Sequence, residues 1–99
     1  MNHTLIRENE TAVLSLRGEL DALSCPELRP VLDSLAEDGR RVTVDLSELR
    51  LIDSSGVGAM VSLYKRVRAN GGEVRFVGVT AQPLVIFKLL RLDRAFELT

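Results

Sequence analysis

The chain has 99 residues, 45% of them hydrophobic, and its 13 basic and 14 acidic residues leave a net charge of −1. A chain of this length is expected to form one domain, residues 1–99, and the balanced charge excludes the broad basic surface of a nucleic-acid-binding protein. No apolar stretch approaches the ~20 residues that cross a bilayer and no signal-peptide pattern opens the chain, so we expect a cytoplasmic protein without a membrane span.

Two β-strands are predicted at the start of the chain. Residues 11–17 alternate between apolar and polar side chains, with Ala12, Leu14 and Leu16 on one face, and Gly18 is expected to end this strand. Residues 4–7 form a first strand that pairs with it as a hairpin.

A first helix follows. Ser24 and Glu27 have the spacing of a capping box, in which each side chain accepts a hydrogen bond from the other residue's backbone N–H. Pro30 is expected to bend the helix and Gly39 to end it. Its apolar face is predicted to carry Leu28, Val31, Leu32 and Leu35.

The rest of the chain alternates between strands and helices. Helical spacing of apolar residues begins at Ser55 and stops at residues 70–72, which predicts a second helix, and a third, apolar-rich helix is predicted over 82–92. Strands are predicted at 41–46, 73–79 and 95–98. The fold class is therefore α/β: a mixed sheet of four to five strands with helices packed on it, in the order β-β-α-β-α-β-α-β.

The run Asp53-Ser54-Ser55-Gly56 stands between a strand and the start of the second helix. Free backbone N–H groups and the positive end of the helix dipole favour an anion there, including a phosphoryl group on a side chain. Gly56 and Gly58 are expected to leave the surface open to a partner. The alternative is structural, since Asp53 or Ser54 alone can cap the helix.

Two motifs in the right order resemble one family. Gly18-Glu19-Leu20-Asp21 resembles the GELD segment, and residues 53–58 resemble the DSSG-hydrophobic-Gly phosphorylation motif, of the STAS domain of bacterial anti-sigma factor antagonists. The resemblance covers nearly the whole chain and implies the STAS fold.

The resemblance also implies site residues. Ser55 becomes the phosphate acceptor, with Asp53, Ser54 and Gly56 as its neighbours, although the residues alone do not separate Ser54 from Ser55. The implied partner-binding residues are Gly18, Asp21, Val57 and Gly58. For Asp21 the alternative is a solvated turn residue before the helix.

The implied function is a partner switch without enzymatic activity or a cofactor. The unphosphorylated protein, a monomer when free, binds an anti-sigma factor kinase of the GHKL type and frees a sigma factor. Phosphorylation blocks this binding, and a PP2C-type phosphatase resets the protein. The alternative is a STAS-domain subunit or ligand-sensing scaffold of a lipid-transport or other signalling complex.

Other sites have weaker support in the sequence. No G-x-S-x-G elbow is present and His3 is the only histidine, which argues against a serine hydrolase. Asp45 lacks the acidic pair of a phosphate receiver, and the lone Cys25 suits neither a disulfide nor a metal site. We expect a solvated helix face at Lys65, Arg66 and Arg68. We expect the helix over 82–92 to belong to the core and to leave some apolar surface exposed.

Overall fold

A computed structural model describes residues 1–38 and 40–98, in which four strands form one mixed sheet. The strands are β1 (Asn2–Glu8), β2 (Thr11–Leu20), β3 (Arg41–Ile52) and β4 (Glu73–Val77), and they lie in this order across the sheet. β1 and β2 form the expected antiparallel hairpin, whereas β2, β3 and β4 run parallel. The α/β class and the mixed sheet are confirmed.

Each of the three parallel strands is followed by a helix that packs on the sheet. The helices are α1 (Cys25–Asp38), α2 (Ser54–Ala69) and α3 (Ala81–Leu89), and α1 continues through Pro30. Gly39, the predicted end of the first helix, lies outside the described residues. The predicted apolar face of α1 holds, with Leu28, Leu32 and Leu35 buried.

The helices cover one face of the sheet. The strands pair their buried side chains across the sheet in two rows, Ala12–Val42–Val74 and Leu14–Val44–Phe76. The alternate residues form the opposite, open face, where Ile6, Val13, Thr43 and Arg75 share one row. Ile6 is 56% exposed and Val13 40% exposed, so this face meets solvent.

β1 is longer at both ends than the predicted residues 4–7, and two of the parallel strands extend beyond their predicted last residues. β2 does not stop at Gly18 but continues to Leu20, and Gly18 adopts a positive φ of 85° at an irregularity inside the strand. β3 continues past Leu46 to Ile52. Register shifts between the two strands insert extra residues into β3, and these irregularities interrupt the alternation by which a strand is recognised.

The predicted last strand over 95–98 is wrong. Residues Leu92–Ala95 form a short helix, α4, and the element order of the described residues is β-β-α-β-α-β-α-α. The apparent alternation around Phe96 has another origin: this one ring is buried and stacks on Phe76 with a centroid distance of 4.3 Å. Phe87 meets both rings edge-on, which ties α3 and the chain end to the sheet.

The two ends of the parallel strands have different surroundings. At one edge of the sheet Glu8, Thr11, Arg41 and Glu73 share a register row. At the opposite edge β2 and β3 end side by side at Leu20 and Ile52. Residues 53–56 follow directly at this edge, where ligands and partners are commonly bound in parallel sheets.

Candidate functional site

The turn between β3 and α2, Asp53–Gly56, is called the serine turn below. Asp53 is the N-cap of α2, and its Oδ1 accepts a hydrogen bond from the Gly56 N–H at 3.0 Å. Its Oδ2 accepts from the Ala22 N–H at 3.1 Å, and its own N–H donates to the Leu20 carbonyl oxygen at 3.2 Å. Asp53 therefore both caps the helix and joins the serine turn to the end of β2.

Removing the Asp53 carboxylate is expected to destabilise the protein. Asp53→Ala deletes the cap and the bond to Ala22, which lowers the free energy of unfolding by about 1–2 kcal/mol. Asp53→Asn keeps a side-chain acceptor for the Gly56 N–H and should lose much less. Urea unfolding of both variants measures the difference, and equal losses would contradict the capping role.

Ser54 and Ser55 are both exposed in the first turn of α2. Their backbone N–H groups have no acceptor within residues 1–38 and 40–98, in contrast to those of Gly56 and Val57, which bond to Asp53. Two exposed hydroxyls thus lie beside two free N–H donors at the positive end of a 16-residue helix. A phosphate on either hydroxyl is favoured by this local field.

The two glycines of the motif differ in their surroundings. Gly58 is exposed with open space around it, as expected for a surface that a partner can approach. Gly56 is buried, so the prediction that it leaves the surface open is wrong. A Cβ atom at Gly56 would lie 2.4 Å from the Leu20 carbonyl oxygen and 2.7 Å from Cγ1 of Ile52. Gly56 is needed for the close approach of α2 to β2 and β3.

The β2–α1 loop, Asp21–Ser24, lies beside the serine turn through the bond from Ala22 to Asp53. Asp21 Oδ1 accepts from the N–H groups of Leu23 and Ser24, at 3.0 and 2.9 Å, so its carboxylate holds the loop. The structure therefore gives Asp21 the turn role that was its alternative reading. Gly18 lies within β2 opposite Leu49.

The predicted capping box at Ser24 and Glu27 is wrong. The Ser24 hydroxyl accepts from the Asp21 N–H at 2.9 Å and donates to the Glu19 carbonyl oxygen at 3.0 Å. The Glu27 carboxylate pairs with the N-terminal ammonium of Met1. Ser24 therefore bonds within the loop and Glu27 forms a long-range ion pair, although the two residues have the spacing of a capping box.

The Asp21 carboxylate is expected to make stability depend on pH. Its pKa lies below the ordinary value of 3.8, chiefly because it accepts from the Ser24 N–H. The folded chain releases this proton more readily than the unfolded chain, so the stabilisation is complete above about pH 4 and is lost as pH falls through the folded pKa.

Asp21→Asn keeps the acceptor but does not titrate, and urea unfolding from neutral pH to about pH 3 should show a smaller loss for this variant. Asp45, whose pKa is lowered by the Ser47 N–H, contributes equally in both proteins. Identical losses in the two proteins would contradict the prediction.

Cys25 begins α1 close to these carboxylates. Burial raises the pKa of its thiol, and the negative charges of Asp53 and Asp21 raise it further. The thiol stays protonated at neutral pH and is a poor nucleophile. Within the described residues, no three His, Cys, Asp or Glu side chains are grouped to hold a metal ion.

An apolar groove of about 300 Å³ adjoins the serine turn, between α2 and α3. Its walls are Ile52, Asp53, Ser54, Val57, Ile86, Leu89 and Leu90. Leu89 and Leu90 are 74% and 54% exposed, and Val57 is half-buried. The excess of apolar residues in the third helix thus marks exposed surface next to the motif, which the sequence did not link to the serines.

The basic stretch of α2 is largely engaged in contacts with its own chain. Arg66 pairs with Asp33 at 2.8 Å, and the Arg68 guanidinium lies over the Tyr64 ring at 5.2 Å. Lys65 is exposed on the same helix. This arrangement fits a solvated helix face.

Within residues 1–38 and 40–98, no helix is long and apolar enough to cross a membrane.

Comparison with known proteins gives one family model, described as Mlab, STAS domain, which matches residues 3–99. The anti-sigma-B factor antagonist of Bacillus subtilis is 27% identical over 95 residues, covering 95% of this chain and 87% of that protein. The anti-sigma-B factor antagonist of Staphylococcus aureus is 35% identical over 83 residues, covering 83% and 68%.

A solved structure agrees with the fold. The Bacillus cell fate determinant SpoIIAA in its phosphorylated form superimposes with a TM-score of 0.79 at 21% identity, covering 99% of this chain and 89% of that one. The likeness extends over all four strands and the helices that cover them.

Proposed function

The chain belongs to the STAS domain family, and we propose that it is an anti-sigma factor antagonist controlled by phosphorylation of the serine turn. In this proposal the unphosphorylated protein binds an anti-sigma factor kinase of the GHKL type in the cytoplasm, which frees a sigma factor. Phosphorylation ends the binding, and a PP2C-type phosphatase restores it. The protein acts by binding and has no catalytic role of its own.

One observation carries the proposal: an exposed serine pair at the start of α2 borders an exposed apolar groove. An apolar groove is a suitable contact surface for another protein. A phosphate beside it adds about −1.5 to −2 charges that would have to be desolvated in a complex. Relatives named anti-sigma-B factor antagonists support the class of partner.

The acceptor is one of two adjacent residues. The resemblance implies Ser55, whereas Ser54 is the one of the two that lines the groove. A phosphate on Ser54 lies at the contact surface itself, whereas one on Ser55 acts from the next position along the helix. We therefore expect substitution of Ser54 to have the larger effect on binding.

Phosphorylation by a kinase from the same genome tests the function. The protein is incubated with ATP and each GHKL kinase, and mass spectrometry maps phosphate on the peptide that contains Ser54 and Ser55. Ser54→Ala and Ser55→Ala identify the acceptor, and the double variant should accept no phosphate. Phosphate that persists in the double variant, or a protein that no such kinase binds or modifies, contradicts the proposal.

A negative result would favour the alternative, a STAS subunit or scaffold of a lipid-transport or other signalling complex. Such a subunit would use the same fold without a kinase. The two functions differ in which purified proteins co-elute with the chain: a GHKL kinase for the proposed function, a component of a transporter for the alternative.

The groove predicts a specific loss of binding. Leu90→Lys places a charge on its wall and is expected to weaken kinase binding by tenfold or more, about 1.4 kcal/mol at the least, because the ammonium must be desolvated in the complex. Ile6→Lys is the matched control, since Ile6 is 56% exposed on the open face and Leu90 is 54% exposed. Isothermal titration calorimetry measures both, and equal losses would exclude the groove as a contact surface.

A further inference from the structure

Gln82, in the first turn of α3, makes two hydrogen bonds to the backbone of Ile52. Its Oε1 accepts from the Ile52 N–H at 2.9 Å, and its Nε2 donates to the Ile52 carbonyl oxygen at 3.0 Å. The partners are 30 residues apart in sequence and partly buried. One side chain thus satisfies both polar groups of the last residue of β3.

Within residues 1–38 and 40–98, no strand pairs with Ile52 on the side of Gln82. β3 pairs with β4 only as far as Asp45 and Val77, although β3 itself runs on to Ile52. On its other side Ile52 is in register with Leu20 of β2. The Gln82 amide therefore takes the place that a neighbouring strand would fill at the end of β3.

These bonds connect the two walls of the apolar groove. Ile52 directly precedes Asp53, the N-cap that holds the serine turn. Gln82, Ile86 and Leu89 are spaced by four and three residues and share one side of α3, and the last two line the groove. Gln82 thus links α3, which forms one wall of the groove, to the end of β3, from which the other wall begins.

We propose that Gln82 is a positioning residue that holds α3 at a fixed place relative to the serine turn, so that the partner meets a preformed groove. The proposal rests on the proposed function only for the identity of that partner. Without the two bonds, α3 and the start of α2 move independently, and a partner must order both before it binds. Gln82 itself makes no contact with the partner in this account.

Hydrogen exchange measured by mass spectrometry tests the coupling on the protein without any partner. Gln82→Leu keeps a side chain of similar size but loses both bonds. Asn70→Ala is the matched control, since the Asn70 Nδ2 donates to the Ala36 carbonyl oxygen at 2.7 Å at the other end of α2. Both variants lose a long-range bond between a side-chain amide and the backbone.

Gln82→Leu is expected to speed exchange in two peptides at once, that of residues 52–57 and that of α3, and Asn70→Ala in neither. Gln82→Glu should give an intermediate result at neutral pH, because its carboxylate can accept from the Ile52 N–H but has no proton for the carbonyl oxygen. Faster exchange confined to α3, or the same pattern in Asn70→Ala, would overturn the proposal.

Binding to the phosphorylating kinase adds a second readout. Gln82→Leu is expected to raise the Kd by about tenfold, because the partner must then order α3 and the serine turn as it binds, while Asn70→Ala leaves it unchanged. An unchanged Kd in Gln82→Leu would overturn the role in binding. A wild-type protein that binds no kinase instead refutes the proposed function, and hydrogen exchange then still decides on the coupling.

Discussion

Gly56→Ala is expected to lower the free energy of unfolding by about 2–4 kcal/mol, a large part of the stability of a domain of this size. The added methyl group would lie 2.4 Å from the Leu20 carbonyl oxygen, which belongs to the backbone of a central strand. Moving that strand or the first turn of α2 to make room for the methyl group would break hydrogen bonds of Asp53. The higher helix propensity of alanine returns only about 1 kcal/mol.

Gly58→Ala is the control for this prediction. It makes the same chemical change two residues further along the same helix, where a Cβ atom has no neighbour within 4 Å. It should therefore raise stability by up to about 1 kcal/mol. Urea or thermal unfolding of the two variants should move in opposite directions. A Gly56→Ala protein as stable as the wild type would show that α2 does not approach β2 so closely.

Negative charge at the serine turn is expected to abolish kinase binding and to leave the fold intact. Ser54→Asp and Ser55→Asp place a carboxylate in the first turn of α2, where the helix dipole favours it by about 0.3–1 kcal/mol. The melting temperature should therefore stay the same or rise. Binding should weaken by 100-fold or more, about 3 kcal/mol, since a desolvated charge then faces the partner. The greater loss is expected for Ser54, which lines the groove.

Thr11→Asp controls for net charge, because Thr11 is exposed at the opposite edge of the sheet. This variant should bind the kinase as the wild type does. Calorimetric titration and thermal unfolding of the three variants separate the effect on binding from that on stability. An aspartate variant of either serine that unfolds at ordinary temperature, or one that binds normally, would contradict a switch that works by charge at the interface.

Local periodicity predicted most of the secondary structure. The strand at residues 11–17 and the helix that begins near Ser55 show regular spacing, because one face of each packs on the core throughout. The same rule failed where packing involves only one residue, as at Phe96, where a strand was predicted over 95–98 but the chain forms a short helix and a turn around one buried ring. It also failed at the bulges of β3, where the backbone departs from a regular strand.

The site was predictable in its location but not in its construction. The motif identified Asp53, Ser54 and Ser55 as neighbours at a helix start, which the structure confirms. The tight packing of Gly56 on Leu20 depends on two segments that are far apart in sequence. The pairing of Gln82 with Ile52 has no local pattern at all, since a glutamine near a helix start is ordinarily solvated.

The edge of the sheet where Glu8, Thr11, Arg41 and Glu73 lie in one row is opposite the end of β3 that leads into the serine turn. Leu20 and Ile52 are in register at the opposite ends of these strands, so changes of length in the connections at the far edge, such as the turn after Glu8 or the residues before Glu73, are expected to leave that register unchanged. We expect this edge to tolerate an inserted epitope, a fluorescent label or a fused domain. Gene fusions built at that edge should leave the serine turn and the apolar groove unchanged while directing the domain to another part of the cell.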